Sequence, residues 1–158
     1  MLGYPASLED LRSWSGDIGS DITFFFSSGT AYCTGRGEIV ESLPPLPAWE
    51  QTDALVFKPA EGLSTGAVFR ALDLDGGLSP RAPQDLLSAF TEGGAAAAAQ
   101  GGGLVNDLEA PAFECNPSLL NLKSAIKGAL GPAAAGAMMS GSGTSVYAVA
   151  QGVGEDTA

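Results

Sequence analysis

Three polar patches that contain glycine interrupt the apolar segments of this chain. They span residues 19–26, residues 105–109 and residues 139–144. In the first patch Asp21 follows a glycine and a serine and precedes a run of aromatic residues. A carboxylate held near the start of a helix can accept the proton of an attacking hydroxyl group. Asp21 is therefore a candidate general base, and the alternative is that it only caps a short helix.

The third patch predicts a loop that can approach an anion. Gly141 and Gly143 flank Ser142, and glycine allows backbone N–H groups to come close to a negatively charged ligand. The hydroxyl groups of Ser140, Ser142 and Thr144 add further hydrogen-bond donors. By itself this composition is typical of a flexible turn, and an anion-binding loop is the alternative.

Overall charge limits the possible partners. The 158 residues carry a formal net charge of -11, from 7 Lys and Arg residues against 18 Asp and Glu residues. Nucleic acids and anionic membrane surfaces are bound through Lys and Arg, so we expect neither partner. No apolar run approaches the roughly 20 residues that span a bilayer. The length suits one domain with a real core.

Histidine is absent from the chain, and cysteine occurs only as Cys33 and Cys115. Zinc sites built from Cys and His, and nucleophilic catalysis that depends on histidine, are therefore excluded within this chain. We expect no metal site. Both cysteines are interpreted as small buried apolar side chains in a reducing compartment.

Helix and strand signals alternate along the chain. Ser7, with Asp10 three residues later, is typical of a capping box that starts a helix, and Gly16 is expected to end it. Further helices are predicted to start at Ser20, Ser64, Pro83, Asn106 and Asn116, and strands are predicted at residues 30–34, 39–40, 54–57, 137–139 and 145–149. This alternation predicts an α+β fold with a largely antiparallel sheet and helices on one face.

Two segments have unusual compositions. The three adjacent phenylalanines at residues 24–26 point in several directions around a helix, so we expect them to be buried on most sides. Residues 92–103 carry a run of alanines between pairs of glycines. That segment predicts a mobile surface loop of low complexity.

In their order along the chain, the three patches resemble the small-molecule kinases of the GHMP superfamily. Within it, residues 14–21 and residues 31–38 resemble the plant and algal kinases that act on 4-diphosphocytidyl-2-C-methyl-D-erythritol. The resemblance implies a ferredoxin-like C-terminal lobe at residues 29–158, after the end of an N-terminal lobe at residues 1–28. It also implies ATP and Mg²⁺ as cofactors and a plastid location.

The same resemblance implies roles for individual residues. It makes Asp21 the general base for the substrate hydroxyl group and places Thr65 against the substrate. The predicted substrate-binding residues are Ser20, Arg36, Thr65, Gly141, Ser142 and Gly143. For Thr65 the alternative is a helix N-cap, and Arg36 and Lys58 are candidates for anion contact. The second patch, with Asn106, Asp107 and Glu109, marks the family and is interpreted as capping and packing between lobes.

The resemblance also implies features that this chain lacks. A glycine-rich phosphate loop, a lysine that works beside the aspartate and a cytosine-binding region are expected upstream of Leu8. The last helix and strand of the second lobe are expected after Ala158. We therefore expect the isolated chain to be inactive as a kinase and to expose apolar surface where the first lobe docks, which predicts poor solubility.

Two other functions stay open. The chain could be a non-catalytic paralogue that binds a metabolite or a protein partner. It could also come from another GHMP small-molecule kinase, of the homoserine or mevalonate type, although residues 31–38 argue against this substrate change.

Overall fold

A computed structural model describes residues 5–152 and divides the chain into two units, Met1–Leu46 and Pro47–Ala158. The lobe boundary expected between residues 28 and 29 stays a prediction, because the two compact units need not coincide with the two lobes of the family. The expected incompleteness of the second lobe after Ala158 lies outside the described residues. Within residues 5–152 no helix is both long and apolar enough to cross a membrane.

The first unit opens with helix α1 (Leu8–Ile18), and its predicted capping box is confirmed. The Ser7 hydroxyl accepts a hydrogen bond from the Asp10 N–H, and the Asp10 carboxylate accepts one from the Ser7 N–H. The helix passes through Gly16 and ends at Ile18, where the Gly19 N–H still donates to the Ser15 carbonyl. A glycine within a helix weakens it without necessarily ending it, so the predicted end was wrong by about half a turn.

One apolar face of α1 is open to solvent. Its exposed side chains are Leu8, Leu11, Trp14 and Ile18. These side chains recur at helical spacing, so α1 presents an exposed apolar stripe. The expectation that apolar surface is exposed where the first lobe docks stays a prediction.

A 3₁₀ helix (Ser20–Phe26) follows α1 and carries the aromatic run. Thr23 is its buried residue, and the Thr23 hydroxyl lies 3.1 Å from the Ser15 hydroxyl of α1. The Arg12 side chain adds a second tie by donating to the Phe26 carbonyl at 3.1 Å. Because the segment packs through Thr23, Phe25 points outward and is 80% exposed. The prediction that the whole aromatic run is buried was therefore wrong.

The predicted hairpin is confirmed in the first unit. Strands β1 (Ala31–Thr34) and β2 (Ile39–Ser42) pair antiparallel, with Thr34 opposite Ile39 next to the turn. The turn closes with a hydrogen bond from the Gly37 N–H to the Thr34 carbonyl. Gly35 and Gly37 both have positive φ, which suits glycine at these turn positions.

The second unit contains an antiparallel sheet of three strands, β3 (Asp53–Phe57), β4 (Ala134–Met139) and β5 (Val146–Ala150). The strand order is β3-β5-β4, so β5 is central and β4 is an edge strand. Four helices accompany the sheet: α2 (Thr65–Ala71), α3 (Pro83–Gln100), α4 (Glu109–Cys115) and α5 (Ser118–Leu130). Short 3₁₀ turns lie at Trp49–Gln51 and Gly131–Ala133. The α+β prediction is confirmed.

The core of this unit forms between α5 and the sheet. Leu119 and Ile126 are buried together with Met139 and Val146 at the paired ends of β4 and β5. Val68 of α2 joins the same cluster. Burial of each such side chain stabilises the fold by about 1.5–3 kcal/mol. The core therefore fixes the strand ends that carry the glycine loop.

The alanine run is not a mobile loop, and this prediction was wrong. Helix α3 continues to Gln100, with one non-helical residue at Gly94. Its buried alanines are Ala95, Ala96, Ala98 and Ala99. Alanine has the highest helix propensity and the smallest side chain that a helix interface can use. Low complexity here reflects close packing.

Gly136 of β4 shows what this packing demands. A Cβ atom there would lie 2.9 Å from the Leu104 Cδ1 atom and 3.3 Å from the Ala99 Cβ atom. Successive strand residues point to opposite faces, so α3 meets the Gly136 side of β4 while Ala137 faces the core cluster. The expectation of helices on one face is therefore incomplete at β4.

Candidate functional site

Asp21 lies in the first turn of the 3₁₀ helix, behind Gly19 as the N-cap residue. Its side chain is exposed, so a ligand can reach the carboxylate. The carboxylate also rests on the hairpin turn, because a Cβ atom at Gly37 would lie only 2.6 Å from the Asp21 Oδ1 atom. Gly37 leaves the space that the carboxylate occupies. The 3₁₀ helix and the hairpin together set the position of Asp21.

The Cys33 thiol of β1 is affected by the charge of the same carboxylate. Partial burial and then the negative charge of Asp21 raise the pKa of the Cys33 thiol. Both Cys33 and Cys115 are nevertheless exposed and free, so the interpretation as buried side chains was wrong.

A cleft of about 420 Å³ opens in the first unit near Arg36. Its lining residues are Glu9, Arg12, Ser13, Gly16, Asp17, Thr23, Arg36, Glu38 and Val40. The Arg36 Nε atom lies 3.8 Å from the Glu38 Oε1 atom, and the Arg36 side chain is 77% exposed. The backbone N–H of Glu38 and that of Arg36 lower the pKa of the Glu38 carboxyl. Arg36 therefore keeps most of its guanidinium free for an anion.

Arg12 was missed by the sequence analysis, whereas Ser20 was among its predicted site residues. Arg12 lines the cleft beside Arg36 and was not predicted, because an arginine on an exposed helix carries no signal of its own. Ser20 was predicted to bind substrate. Its hydroxyl makes no hydrogen bond to the described residues and is thus available.

In the second unit, the structure brings together two predicted substrate-binding residues. The Thr65 hydroxyl lies 2.9 Å from the Ser142 hydroxyl, across 77 residues of sequence. Ser64, rather than Thr65, is the N-cap of α2, since its hydroxyl accepts from the Ala67 N–H at 3.4 Å. The Thr65 hydroxyl is therefore free to face the loop between β4 and β5.

The loop at residues 140–145 is a tight turn with exposed donors. The Gly143 N–H donates to the Ser140 carbonyl at 3.0 Å, and Gly141 and Gly143 have φ values of 54° and 94°. Within residues 5–152, no acceptor lies within hydrogen-bond reach of the Gly141 N–H or the Ser142 N–H. Adjacent N–H groups in a glycine turn form a concavity that suits an anion.

Lys58 anchors the far side of this loop. Its Nζ atom donates to the Thr144 hydroxyl at 2.8 Å, and that hydroxyl donates to the Glu61 carbonyl at 3.0 Å. Thr144 is buried, with an exposed fraction of 1%. In the part of the chain that the structure describes, no carboxylate forms an ion pair with Lys58. The Lys58 ammonium group is thus open to a negatively charged ligand.

The second patch lies beside the third. The Asn106 Nδ2 atom donates to the carbonyls of Met139 and Gly141, both at 2.8 Å. The Glu109 carboxylate accepts from the Met139 N–H at 2.8 Å and pairs with Lys123 at 2.6 Å. Asn106 also turns the chain toward α4, since its Oδ1 atom accepts from the Leu108 N–H. The N-cap residue of α4 is Leu108 and no side chain caps this helix, so the prediction that Asn106 caps it was wrong, and the contact of Asn106 with the glycine loop was missed.

No protein-built metal site is evident in residues 5–152. Nowhere among them do three His, Cys, Asp or Glu side chains form a group that could hold a metal ion. Mg²⁺ in kinases is held largely through substrate phosphates, with one or two carboxylates. The described residues therefore do not fit a Mg²⁺ cage, and no ligand for the ion is assigned to this chain.

The family follows from the second unit. Residues 61–156 match the protein family described as GHMP kinases C terminal. The chain belongs to the GHMP kinase family. The expected resemblance is thereby confirmed, together with the fold class that it implied.

Relatives of this GHMP kinase chain carry a consistent name. This chain is 46% identical over 147 residues to the chloroplastic 4-diphosphocytidyl-2-C-methyl-D-erythritol kinase of Mentha piperita. The alignment covers 93% of this chain and 35% of the relative. The enzyme of the same name from Oryza sativa subsp. japonica is 47% identical over 148 residues, with the same shares covered. The chain thus spans about a third of the length of these plant relatives.

A solved structure gives the same result for the fold. The crystal structure of 4-(cytidine 5'-diphospho)-2C-methyl-D-erythritol kinase superposes with a TM-score of 0.67 at 31% sequence identity. The match covers 92% of this chain and 49% of that chain. Both units of the GHMP kinase chain therefore have counterparts in one solved kinase.

Proposed function

We propose that this chain forms part of a kinase that transfers the γ-phosphoryl group of ATP to the 2-hydroxyl group of 4-diphosphocytidyl-2-C-methyl-D-erythritol. This reaction belongs to the methylerythritol phosphate pathway of isoprenoid precursor synthesis. The names of the relatives support the proposal, and so does the hydrogen bond between the Thr65 and Ser142 hydroxyl groups. That bond is the observation that carries it, since it joins two distant residues that were separately predicted to contact substrate.

Asp21 is the proposed general base. The substrate oxygen forms a bond to the γ-phosphorus, the bond from that phosphorus to the ADP oxygen breaks, and the hydroxyl proton passes to the Asp21 carboxylate. The exposed position of Asp21 supports this role, because the carboxylate is accessible to a substrate hydroxyl group. Gly37 supports it as well, since this residue leaves room for the carboxylate in its observed place.

The loop between β4 and β5 is the proposed substrate contact. The N–H groups of Gly141 and Ser142, together with the Thr65 and Ser142 hydroxyl groups, offer donors to phosphate or sugar-alcohol oxygens. Lys58 is proposed to add a positive charge near the same loop. Such donors orient a substrate, and orientation is the main demand of phosphoryl transfer.

Arg36, Ser20 and Gly143 complete the proposed binding residues. The exposed guanidinium of Arg36 suits a phosphate group, because its fork of donors matches the geometry of an anion. ATP and Mg²⁺ enter the proposal through the family alone. A plastid location is proposed because the plant relatives are named chloroplastic.

A chimeric enzyme tests the proposal. The preceding part of the Mentha piperita relative is joined ahead of this chain, and ATP-dependent phosphorylation of 4-diphosphocytidyl-2-C-methyl-D-erythritol is measured. We expect activity in the chimera, and loss of about a hundredfold or more in kcat for Asp21→Asn. Asp75→Asn is the matched control, since Asp75 is also exposed and lines neither the cleft near Arg36 nor the glycine loop.

Each other result has a clear meaning. Full activity of the Asp21→Asn chimera would exclude Asp21 as the base. Phosphorylation of homoserine or mevalonate instead would favour another GHMP kinase, and substrate binding without turnover would favour a non-catalytic paralogue. The isolated chain is expected to show no ATP-dependent phosphorylation, and measurable turnover by it would contradict that expectation.

A further inference from the structure

We infer that Asn106 and the Glu109–Lys123 pair are positioning residues that hold the glycine loop in its ligand-ready shape. The inference deepens the proposed function, and rests on it for the identity of the ligand. Its structural part concerns only how the second patch acts on the third. Asn106 and Glu109 thereby gain a role that neither capping nor packing between lobes supplies.

The first step is the open edge of the sheet. Strand β4 pairs with β5 on one side only, so polar backbone groups on its other side need partners. At Met139, the last residue of β4, side chains supply them. The Glu109 carboxylate accepts from the Met139 N–H, and the Asn106 amide donates to the Met139 carbonyl. Strand β5 thus holds one edge of this strand end, and the side chains of Asn106 and Glu109 hold the other edge.

The second step is the reach into the loop. The same Asn106 nitrogen also donates to the Gly141 carbonyl at 2.8 Å. Two carbonyls that lie two residues apart therefore point toward one amide group. With its carbonyl turned to Asn106, Gly141 keeps a positive φ of 54° and its own N–H stays clear of protein acceptors among the described residues. The amide thus sets the direction of the loop donors.

The third step is the support of Glu109. Its carboxylate receives two contacts from the Lys123 Nζ atom, at 2.6 and 2.8 Å, and both side chains are more than four-fifths buried. The Lys123 ammonium also lies 5.9 Å from the centre of the Phe113 ring. A carboxylate that is fixed in this way from α5 is a rigid acceptor for the Met139 N–H.

Asn106→Asp is the decisive variant. It keeps the shape of the side chain and replaces the two N–H donors with a carboxylate oxygen that faces two carbonyl oxygens. Asn121→Asp is the matched control, because Asn121 is exposed on α5 and its side chain makes no hydrogen bond to the described residues. Asn106→Ser keeps one donor and serves as the milder variant if Asn106→Asp does not fold.

The measurement is amide hydrogen exchange and chemical shift by NMR on this chain without ligand. We expect the Gly143 N–H to exchange about tenfold faster in Asn106→Asp, and the shifts of Gly141 and Ser142 to move, while Asn121→Asp changes neither. Core amides such as those of Ala137 and Ala148 should keep their exchange rates. Lys123→Met should likewise make the Met139 N–H exchange faster. The control variant Lys127→Met should leave that exchange rate unchanged.

Two results would overturn the inference. One is a folded Asn106→Asp chain whose loop amides match the wild type. The other is acceleration of the core and loop amides by the same factor, which would make Asn106 a residue of general stability. For Asn106→Ser, loop exchange between that of the wild type and that of Asn106→Asp supports the inference, and wild-type exchange contradicts it.

A titration of the chimera with 4-diphosphocytidyl-2-C-methyl-D-erythritol separates this inference from the proposed function. If the ligand leaves the wild-type loop amides unmoved while Asn106→Asp still loosens them, the substrate proposal fails and the positioning role stands. If the ligand moves the loop amides and Asn106→Asp binds it equally well, the positioning role fails. In the chimera, Asn106→Asp is expected to raise KM about tenfold with a smaller change in kcat.

Discussion

The hydroxyl groups of Thr65 and Ser142 lie 2.9 Å apart, one at the start of a helix and the other in the glycine loop. One hydroxyl group donates to the other and can still accept a hydrogen bond from a ligand, while the accepting hydroxyl group keeps its own hydrogen to donate to a ligand oxygen. The pair therefore offers a ligand two oxygens at a fixed separation. Its contribution to binding can be measured, because either hydroxyl can be removed alone.

Removal of one hydroxyl is expected to weaken substrate binding. Thr65→Val keeps the branched shape, and Ser142→Ala removes only one oxygen; each should raise KM in the chimera about fivefold to tenfold. The double variant should lose less than the product of the two effects, since the pair acts as a unit. Thr91→Val, in the middle of α3, is the control and should leave KM unchanged. If the two single variants and the double variant all had the KM of the wild type, the pair would not belong to the substrate site.

Gly37 is expected to control the position of Asp21. Gly37→Ala puts a Cβ atom 2.6 Å from the Asp21 Oδ1 atom, so the flexible carboxylate must move. We expect kcat in the chimera to fall about tenfold or more, because small displacements of a catalytic group are costly. Gly29→Ala is the matched control: its φ of 104° is close to the 112° of Gly37, and no atom lies within 4 Å of the new Cβ atom.

Both alanine variants share the backbone strain of about 1–3 kcal/mol that positive φ imposes on a residue with a side chain. Chemical denaturation should therefore show similar losses for the two proteins. A fall in kcat of equal size in both would show that Gly37 acts through stability alone.

Gly94 is expected to be essential for the packing of α3. A Cβ atom at Gly94 would overlap the Pro47 carbonyl, which is a backbone group that cannot swing away. Gly102→Ala has nearly the same φ, 74° against 75°, and its nearest neighbour is an arginine side-chain atom 3.7 Å away. Gly94→Ala should lower the free energy of unfolding by about 1–3 kcal/mol more than Gly102→Ala. Urea denaturation measures the difference, and equal midpoints would contradict the packing.

The capping box at α1 predicts a dependence of stability on pH. Hydrogen bonds from the Ser7 hydroxyl and then from the Ser7 N–H lower the pKa of the Asp10 carboxyl below its ordinary value. A lowered pKa in the folded state gives stability that is present above the unfolded pKa and is lost as pH falls through the folded pKa. Asp10→Asn should therefore unfold more easily than the wild type near neutral pH.

The difference should shrink as the pH is lowered below the ordinary range of an aspartate, because both proteins then have a neutral side chain at this position. Urea midpoints at a series of pH values measure it, with Asp17→Asn as the control at the other end of the helix. A difference that is constant with pH would show that the charge of Asp10 has no role in the cap.

Local patterns predicted the parts of the fold that depend on neighbours in sequence. The capping box joins residues three apart, and the turn at Gly35 and Gly37 is set by two backbone angles. Helix α5 was predictable in the same way, since Leu119 and Ile126 lie two turns apart on one face and both are buried. In each case the deciding contacts fall within a few residues.

Contacts between distant segments account for the errors. The alanines of α3 are buried because Gly136, far along the chain, leaves room for Ala99. Phe25 is exposed because Thr23 takes the buried side of its short helix. The hydrogen bond from Asn106 to Met139 joins residues 33 apart, so the sequence around Asn106 suggested only a helix cap. Family membership suggested that these residues matter without showing what they touch.

The bonds from Asn106 to the loop end on carbonyl oxygens of the main chain and involve no loop side chain. Ser140 and Ser142 can thus be randomised in a library while the backbone keeps its path, provided that Asn106 stays in place. Selection from such a library could alter which sugar-alcohol phosphates the loop accepts without a new scaffold. The side chains of the loop can therefore vary while its backbone is held by Asn106, which lies more than 30 residues upstream of the loop.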